Sequence, residues 1–281
     1  MYRRYVFTLS LLPISMHHHH QNIIDTALVK IGSDGLTTPD NHLDREAVAS
    51  IAAQLARVRQ QIQRIGLVSS GAVTTGRDLY QTQKRSDEDL ATQQMYASAG
   101  QPMLFAEYLK GLQAHGCIAN QILVTHSDMD SRMRRNNLHR TLERIFASQM
   151  SGIPIFNEND TVAVREFRFD NDQLAGDVAR LIGAQRVLFL TSVPGILERL
   201  DAPESVIREV PFGSKDYRQF VNGSSSKNGR GGMKSKAHIA EQLARQGIES
   251  VIAYAHEPDI IPRVLLGHEQ IGTRFVPAVV R

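Results

Sequence analysis

Four stretches of this sequence carry residue types that could act on a charged ligand. The first is Gly229-Arg-Gly-Gly-Met-Lys-Ser-Lys236. Glycines leading into a helix let backbone N–H groups approach an anion, the helix N-terminus adds positive partial charge, and Lys234 and Lys236 add full charges. The second is Lys30-Ile-Gly-Ser33, a lysine at the end of an apolar run followed by a glycine turn, which also suits phosphate oxygens. It lacks the G-x-x-x-x-G-K-[ST] spacing, so a P-loop is not supported. The third, Ser69-Ser-Gly-Ala-Val-Thr-Thr-Gly76, offers hydroxyls and amides to an anion and reads equally well as a helix cap. It is not a G-x-S-x-G elbow, which argues against a serine hydrolase. The fourth pairs Asn157-Glu-Asn-Asp160 with Asp170-Asn-Asp172. Such carboxylates could hold a substrate ammonium or orient catalytic lysines; a carboxylate metal site competes, and the same residue types also build turns.

The elements that must position these stretches follow from hydrophobic periodicity. Strands are expected over 25–31, 64–70, 118–124, 153–156, 187–191 and 250–253. Helices are expected over 44–64, 90–113, 136–149, 174–182, 233–246 and 258–266, with Pro102 kinking or dividing the second of these. The alternation predicts a mostly parallel sheet covered on both faces. Ligands in such folds lie beyond the carboxyl ends of the strands. The polar clusters fall there, after Ile31, Val68, Phe156 and Leu190. The Gly/Ser-rich stretch 221–232 is read as a mobile loop inside one domain, since no change of composition flanks it.

Composition narrows the class. With 281 residues, 42% hydrophobic and 22% charged, the chain can bury a proper core. A net charge of +3, scattered basic residues and no tryptophan argue against nucleic acid as a partner. The run Arg132-Met-Arg-Arg135 is read as a solvated or ion-pairing helix face. The single cysteine, Cys117, allows no internal disulfide; it is read as a small buried apolar residue, and a reducing, cytoplasmic compartment is expected. No run approaches membrane-spanning length. Residues 1–22, with a short apolar run and His17–His20, are read as a disordered, tag-like extension and not as a metal site; the fold is expected over 23–281.

Taken in order, Lys30-Ile-Gly-Ser, Ser69-Ser-Gly-Ala, Asn157-Glu-Asn-Asp, Asp170-Asn-Asp, Leu190-Thr and Gly231-Gly-Met-x-x-Lys236 resemble the amino acid kinase family. Ser98-Ala-Gly-Gln101, Asp128-x-x-x-Arg132-x-x-x-x-Asn137 and Gly195-Ile-Leu197 support the likeness, which covers roughly residues 24–275. The resemblance implies an α/β fold, a three-layer α/β/α sandwich around a mostly parallel sheet. It also implies ATP-dependent phosphorylation of the γ-carboxylate of glutamate, the first step of proline biosynthesis. ATP with Mg²⁺ on its phosphates, glutamate, and a homo-oligomer (dimer or tetramer) are the implied ligands and partners.

By the same resemblance Lys30 and Lys236 neutralise charge on the transferring phosphoryl group and Asp172 orients them. Ser70, Asp160 and Asn171 hold glutamate. Gly32, Ser33, Thr191, Ser192, Arg230, Gly231, Gly232, Met233, Lys234 and Ser235 join the two lysines around ATP, and no residue is assigned to a metal. The chemistry is coherent, because a γ-carboxylate with a reference pKa of ~4.3 is already ionised at neutral pH and needs no general base. Positioning and charge stabilisation then suffice. The sequence departs from the family pattern at Asp34 and Gly35, usually a small uncharged polar residue and an aliphatic one. It departs also at Ser192 (usually aspartate), at Arg230 and Lys234 (usually small hydroxyl residues) and at a missing glycine ahead of Asp170. No C-terminal RNA-modification-type (PUA) domain is expected. Two alternatives remain: a different acidic acceptor, and a non-catalytic sensor binding glutamate or proline.

Overall fold

The structure is a computed structural model that describes residues 24–82, 88–163, 170–221, 232–267 and 269–278. Strand β1 (Thr26–Ile31) ends in a 3₁₀ turn (Ser33–Gly35) and is followed by α1 (Arg45–Arg59), β2 (Arg64–Ser69), α2 (Ala72–Leu79) and α3 (Leu90–Gln113). Next come β3 (Ile118–Val124), α4 (His126–Asp130), α5 (Arg132–Phe146), β4 (Gly152–Glu158), α6 (Asn171–Ile182) and β5 (Arg186–Thr191). The chain continues through β6 (Glu209–Val210), α7 (Arg218–Val221), α8 (Met233–Ala244), β7 (Glu249–Tyr254), α9 (Ile260–Leu265) and β8 (Thr273–Phe275).

The strands form one eight-stranded sheet in the order β3-β4-β2-β1-β5-β7-β8-β6. From β3 across to β7 every pairing is parallel, and β8 runs antiparallel to β7. Side chains alternate across each strand, and both faces are buried, which is why these segments are so uniformly apolar. On one face Ala27, Val29 and Ile31 of β1, Ile65 and Leu67 of β2, and Leu188 and Leu190 of β5 pack into a core shared with α1, α3 and α9. On the other, Leu28, Val68, Phe156, Val187 and Phe189 pack with α5, α6 and α8. The expected three-layer sandwich is what forms.

Local chemistry fixes the helix starts. Asp44 accepts from Ala47 N–H at 2.9 Å to cap α1, and Asp89 accepts from Thr92 N–H at 2.7 Å to cap α3. Gly183, at φ 66°, closes α6 in the left-handed conformation. Pro102 does not begin a new segment; α3 runs through it from Leu90 to Gln113. The prolyl nitrogen removes one ladder bond, and packing of the helix against the sheet and α1 outweighs that loss. The Arg132–Arg135 run opens α5, where Arg134 pairs with Asp128 at 2.8 Å and Arg135 donates to the carbonyl of Asp130 at 2.8 Å. Cys117 is buried, as expected. Among the described residues no helix is long and apolar enough to cross a membrane. The expected extension at 1–22 and the expected mobile loop lie outside the described residues, except Val221 and Gly232 at the loop's edges.

Candidate active site

β1 has β2 on one side and β5 on the other, and all three end at the same level: Ile31 is level with Ser69 of β2 and with Leu190 of β5. The crevice at this edge is where the direction of strand addition switches, the usual ligand position in such sheets. Lys30 lies on the same face of β1 as Leu28, so its side chain points toward α6 and α8. That parity brings three residues far apart in sequence together. Lys30 Nζ lies 2.7 Å from Asp172 Oδ1, and Lys236 Nζ lies 3.1 Å from Asp172 Oδ2.

All three side chains are buried: Asp172 is 0% exposed, Lys30 3% and Lys236 4%. One carboxylate thus faces two ammonium groups, leaving the cluster a net positive charge in a place water barely reaches. Such a charge is costly alone and becomes favourable when an anion enters. Burial, and then the neighbouring charge of Lys30, lower the pKa of Lys236, against the opposing pull of Asp172. A Cβ added at Gly32 would sit 3.7 Å from Lys30 Nζ, so the absent side chain leaves that ammonium open to a ligand.

Asp170 organises the same corner. Its carboxylate caps α6 by accepting from Asp172 N–H at 3.1 Å, and its other oxygen accepts a hydrogen bond from Ser235 Oγ. The first turns of α6 and α8 are thereby joined, which sets Lys236 against Asp172. Ser235, expected to face ATP, therefore spends its hydroxyl on Asp170. Gly232 is the N-cap of α8, Met233 begins the helix, and Lys234 is exposed on its first turn. Arg230 and Gly231 lie outside the described residues. Thr191 ends β5, half-buried, and Ser192 follows it exposed. Gly32 and Ser33 form the turn after β1, and the neighbouring Asp34 keeps Oδ1 buried with no hydrogen-bond partner.

On the other side of β1, amide side chains are linked in series. Asn171 Nδ2 donates to Ser70 Oγ at 2.8 Å, to Asn157 Oδ1 at 3.2 Å and to the carbonyl of Ser69 at 3.4 Å. Asn157 Nδ2 donates to Gln101 Oε1 at 2.6 Å. Beneath them the fully buried Tyr108 hydroxyl lies 3.0 Å from Ser69 Oγ, and burial pushes that phenol's pKa well up. Asp160 stands half-buried in the turn after β4. β4 runs on through Glu158, so Asn157 and Glu158 lie within the strand and not after it. Tyr108 carried no local signal of its role, and Asn157 and Asp170 stood in the polar stretches without individual roles, because their partners sit on other elements. Gln101 stood in a quoted motif without a role.

Among the described residues no group of three or more His, Cys, Asp or Glu is placed to hold a metal ion. Two buried ammonium groups beside a row of amides suit the meeting of a polyphosphate with a small polar acceptor. The model of the amino acid kinase family matches residues 25–254, which spans both halves of this site. The chain belongs to the amino acid kinase family.

Curated relatives within it are named glutamate 5-kinase. The protein from Trichlorobacter lovleyi is 35% identical over 257 residues, covering 89% of this chain and 67% of the relative. That from Thioalkalivibrio sulfidiphilus is 38% identical over 256 residues, with the same coverage of 89% and 67%. The Chlorobaculum tepidum protein is 32% identical over 262 residues, 93% of this chain and 71% of the relative. A solved isopentenyl phosphate kinase superposes with a TM-score of 0.58 at 19% identity, covering 89% of this chain and 100% of its own. At that identity the likeness is one of fold. The family fold and the observed sandwich agree.

Proposed function

We propose that this chain is a kinase that transfers the γ-phosphoryl group of ATP to the γ-carboxylate of glutamate. The observation that carries the reading is the buried Lys30–Asp172–Lys236 cluster at the crevice, with the linked amides of Asn157 and Asn171 and the Ser70 hydroxyl beside it. The glutamate 5-kinase relatives give the acceptor its name.

In this reading a γ-carboxylate oxygen attacks the γ-phosphorus, the bond to the β,γ-bridging oxygen breaks, and ADP leaves with that electron pair. The product is the acyl phosphate γ-glutamyl phosphate. No proton moves, because the nucleophile is already ionised. The two anions repel each other, and Lys30 and Lys236 offset that repulsion where charge spreads in the transition state. Asp172 holds both ammonium groups in place and cancels one of their charges, so the crevice stays folded when empty. Thr191, Ser192 and the segment from Gly232 into α8 hold the nucleotide. Ser70, Asn171 and Asp160 hold glutamate. Mg²⁺ riding on the phosphates would supply further charge neutralisation, and no protein carboxylate is needed to bind it.

The test is hydroxylamine trapping of the acyl phosphate. The full chain is expected to form hydroxamate only with ATP, Mg²⁺ and glutamate together. Lys30→Ala and Lys236→Ala should each lower kcat by about 10²-fold or more, the scale of losing one preorganised charge contact. A folded wild-type chain that yields no hydroxamate from glutamate would refute the reading.

A further inference from the structure

The amide row has a direction, and one backbone group sets it. An amide side chain can present its oxygen or its nitrogen on either side, and only its neighbours decide which. Asn157 Oδ1 accepts from the buried N–H of Glu158 at 2.9 Å. A backbone N–H is a donor only, so the Asn157 oxygen must face it and Nδ2 must face away. Gln101 then has to meet that Nδ2 with Oε1, at 2.6 Å. Its own Nε2 is left with two protons and no hydrogen-bond acceptor among the described residues. Asn171 spends Nδ2 on Asn157 Oδ1 and Ser70 Oγ, which leaves Asn171 Oδ1 a buried acceptor without a partner. An unused donor and an unused acceptor therefore stand on the two ends of a single asparagine amide.

That pair complements an α-amino acid zwitterion, whose carboxylate accepts and whose ammonium donates. We propose that Gln101 is a specificity-determining residue whose Nε2 binds the α-carboxylate of the acceptor, beside Asn171 Oδ1, which receives the α-ammonium. The inference rests on the glutamate-side residues proposed above and deepens that reading. Buried polar groups made to bond a ligand reject analogues that leave them unmatched.

Gln101→Glu separates the two duties of this side chain. The new carboxylate still accepts from Asn157 Nδ2, so the amide row keeps its direction, and it puts an acceptor where the free donor stood. Calorimetry and steady-state kinetics on the full chain would compare glutamate with 4-aminobutyrate, which is glutamate without its α-carboxylate. The wild type should prefer glutamate. In Gln101→Glu that preference should fall about tenfold to a hundredfold, the worth of one charge-assisted hydrogen bond. KM for glutamate should rise with that loss, while KM for ATP should stay unchanged. Gln101→Met, which loses both duties, is the second variant should the first fail to fold, and it should show the same fall.

A variant that keeps the wild-type preference would overturn the inference, as would a wild type that binds both compounds equally. The functional reading fails differently: no hydroxamate from glutamate. If glutamate still binds in preference to 4-aminobutyrate and Gln101→Glu removes that preference, the role of Gln101 stands even then.

Discussion

Asp172 decides whether two ammonium groups can share one dry corner. It is wholly buried and touches both lysines, so removing its charge leaves two buried cations facing each other. Breaking a buried charge cluster by removing one partner costs about 3–5 kcal/mol. In Asp172→Asn the pKa of Lys236, already lowered by burial and by Lys30, should fall further. Activity needs the protonated lysine, so the alkaline limb of the kcat profile should move to lower pH in the variant, with kcat at neutral pH reduced. An unmoved limb would mean that the carboxylate does not hold this charge. Stability runs the other way for Lys236. Its folded pKa lies below the unfolded value of 10.5, so its burial penalty is full below the folded value. That penalty fades as pH rises from the folded toward the unfolded value.

At the scale of elements, the acceptor side depends on how closely α2 and α3 approach. A Cβ on Gly100 would lie 1.9 Å from the carbonyl oxygen of Ala72 and 2.3 Å from the nitrogen of Gly76. One on Gly76 would lie 1.8 Å from the carbonyl oxygen of Tyr96. The two backbones are therefore in contact, and neither has a flexible side-chain end to yield. This contact fixes the stretch of α3 that carries Gln101, one residue beyond Gly100 and bonded to Asn157. Gly100→Ala should destabilise the chain by about 3 kcal/mol or more, since overpacking against backbone cannot relax cheaply. Denaturant unfolding would measure it. In whatever fraction still folds, the affinity for glutamate should drop while that for ATP holds; a stable Gly100→Ala chain would show that the helices can part freely.

Across the whole molecule, β1 is a seam. Ser70, Asn157, Asp160 and Gln101 hang on the side of β2 and β4, whereas Thr191, Ser192 and the start of α8 hang on the side of β5 and β7. Asn171 and Asp172, neighbours at the start of α6, reach one to each side. Each ligand should therefore stabilise the fold by its own contacts. A ligand at a hundred times its Kd adds about 2.7 kcal/mol, or roughly 5–10 °C in Tm for a domain of this size. Thermal unfolding of the wild type should show such a rise with MgADP and a separate one with glutamate. Lys30→Ala should lose the nucleotide rise and keep most of the glutamate rise. Loss of both, or of neither, would contradict the division at the seam.

Much of this was legible in the chain itself. Apolar runs of strand length between amphipathic helices required a covered parallel sheet, and polar residues just past those runs marked its carboxyl edge as the site. Lys30 and Lys236 stood out because their types and flanking glycines suit a phosphate, Asp172 because a carboxylate can orient lysines, and all three because their order resembles a known family. Elements whose signal is weak in sequence were not legible: the short β6 and β8, and α2, where Thr and Gly obscure the periodicity. Nor could periodicity tell that α3 tolerates Pro102, since tertiary packing outweighs a missing ladder bond. What only the folded chain decided was pairing. Whether Lys30 meets Asp172 depends on which face of β1 α6 covers, and whether Gln101 offers its nitrogen or its oxygen depends on an N–H that is 57 residues further along the chain. Residue type and local period fix what a side chain can do; long-range packing alone fixes what it faces.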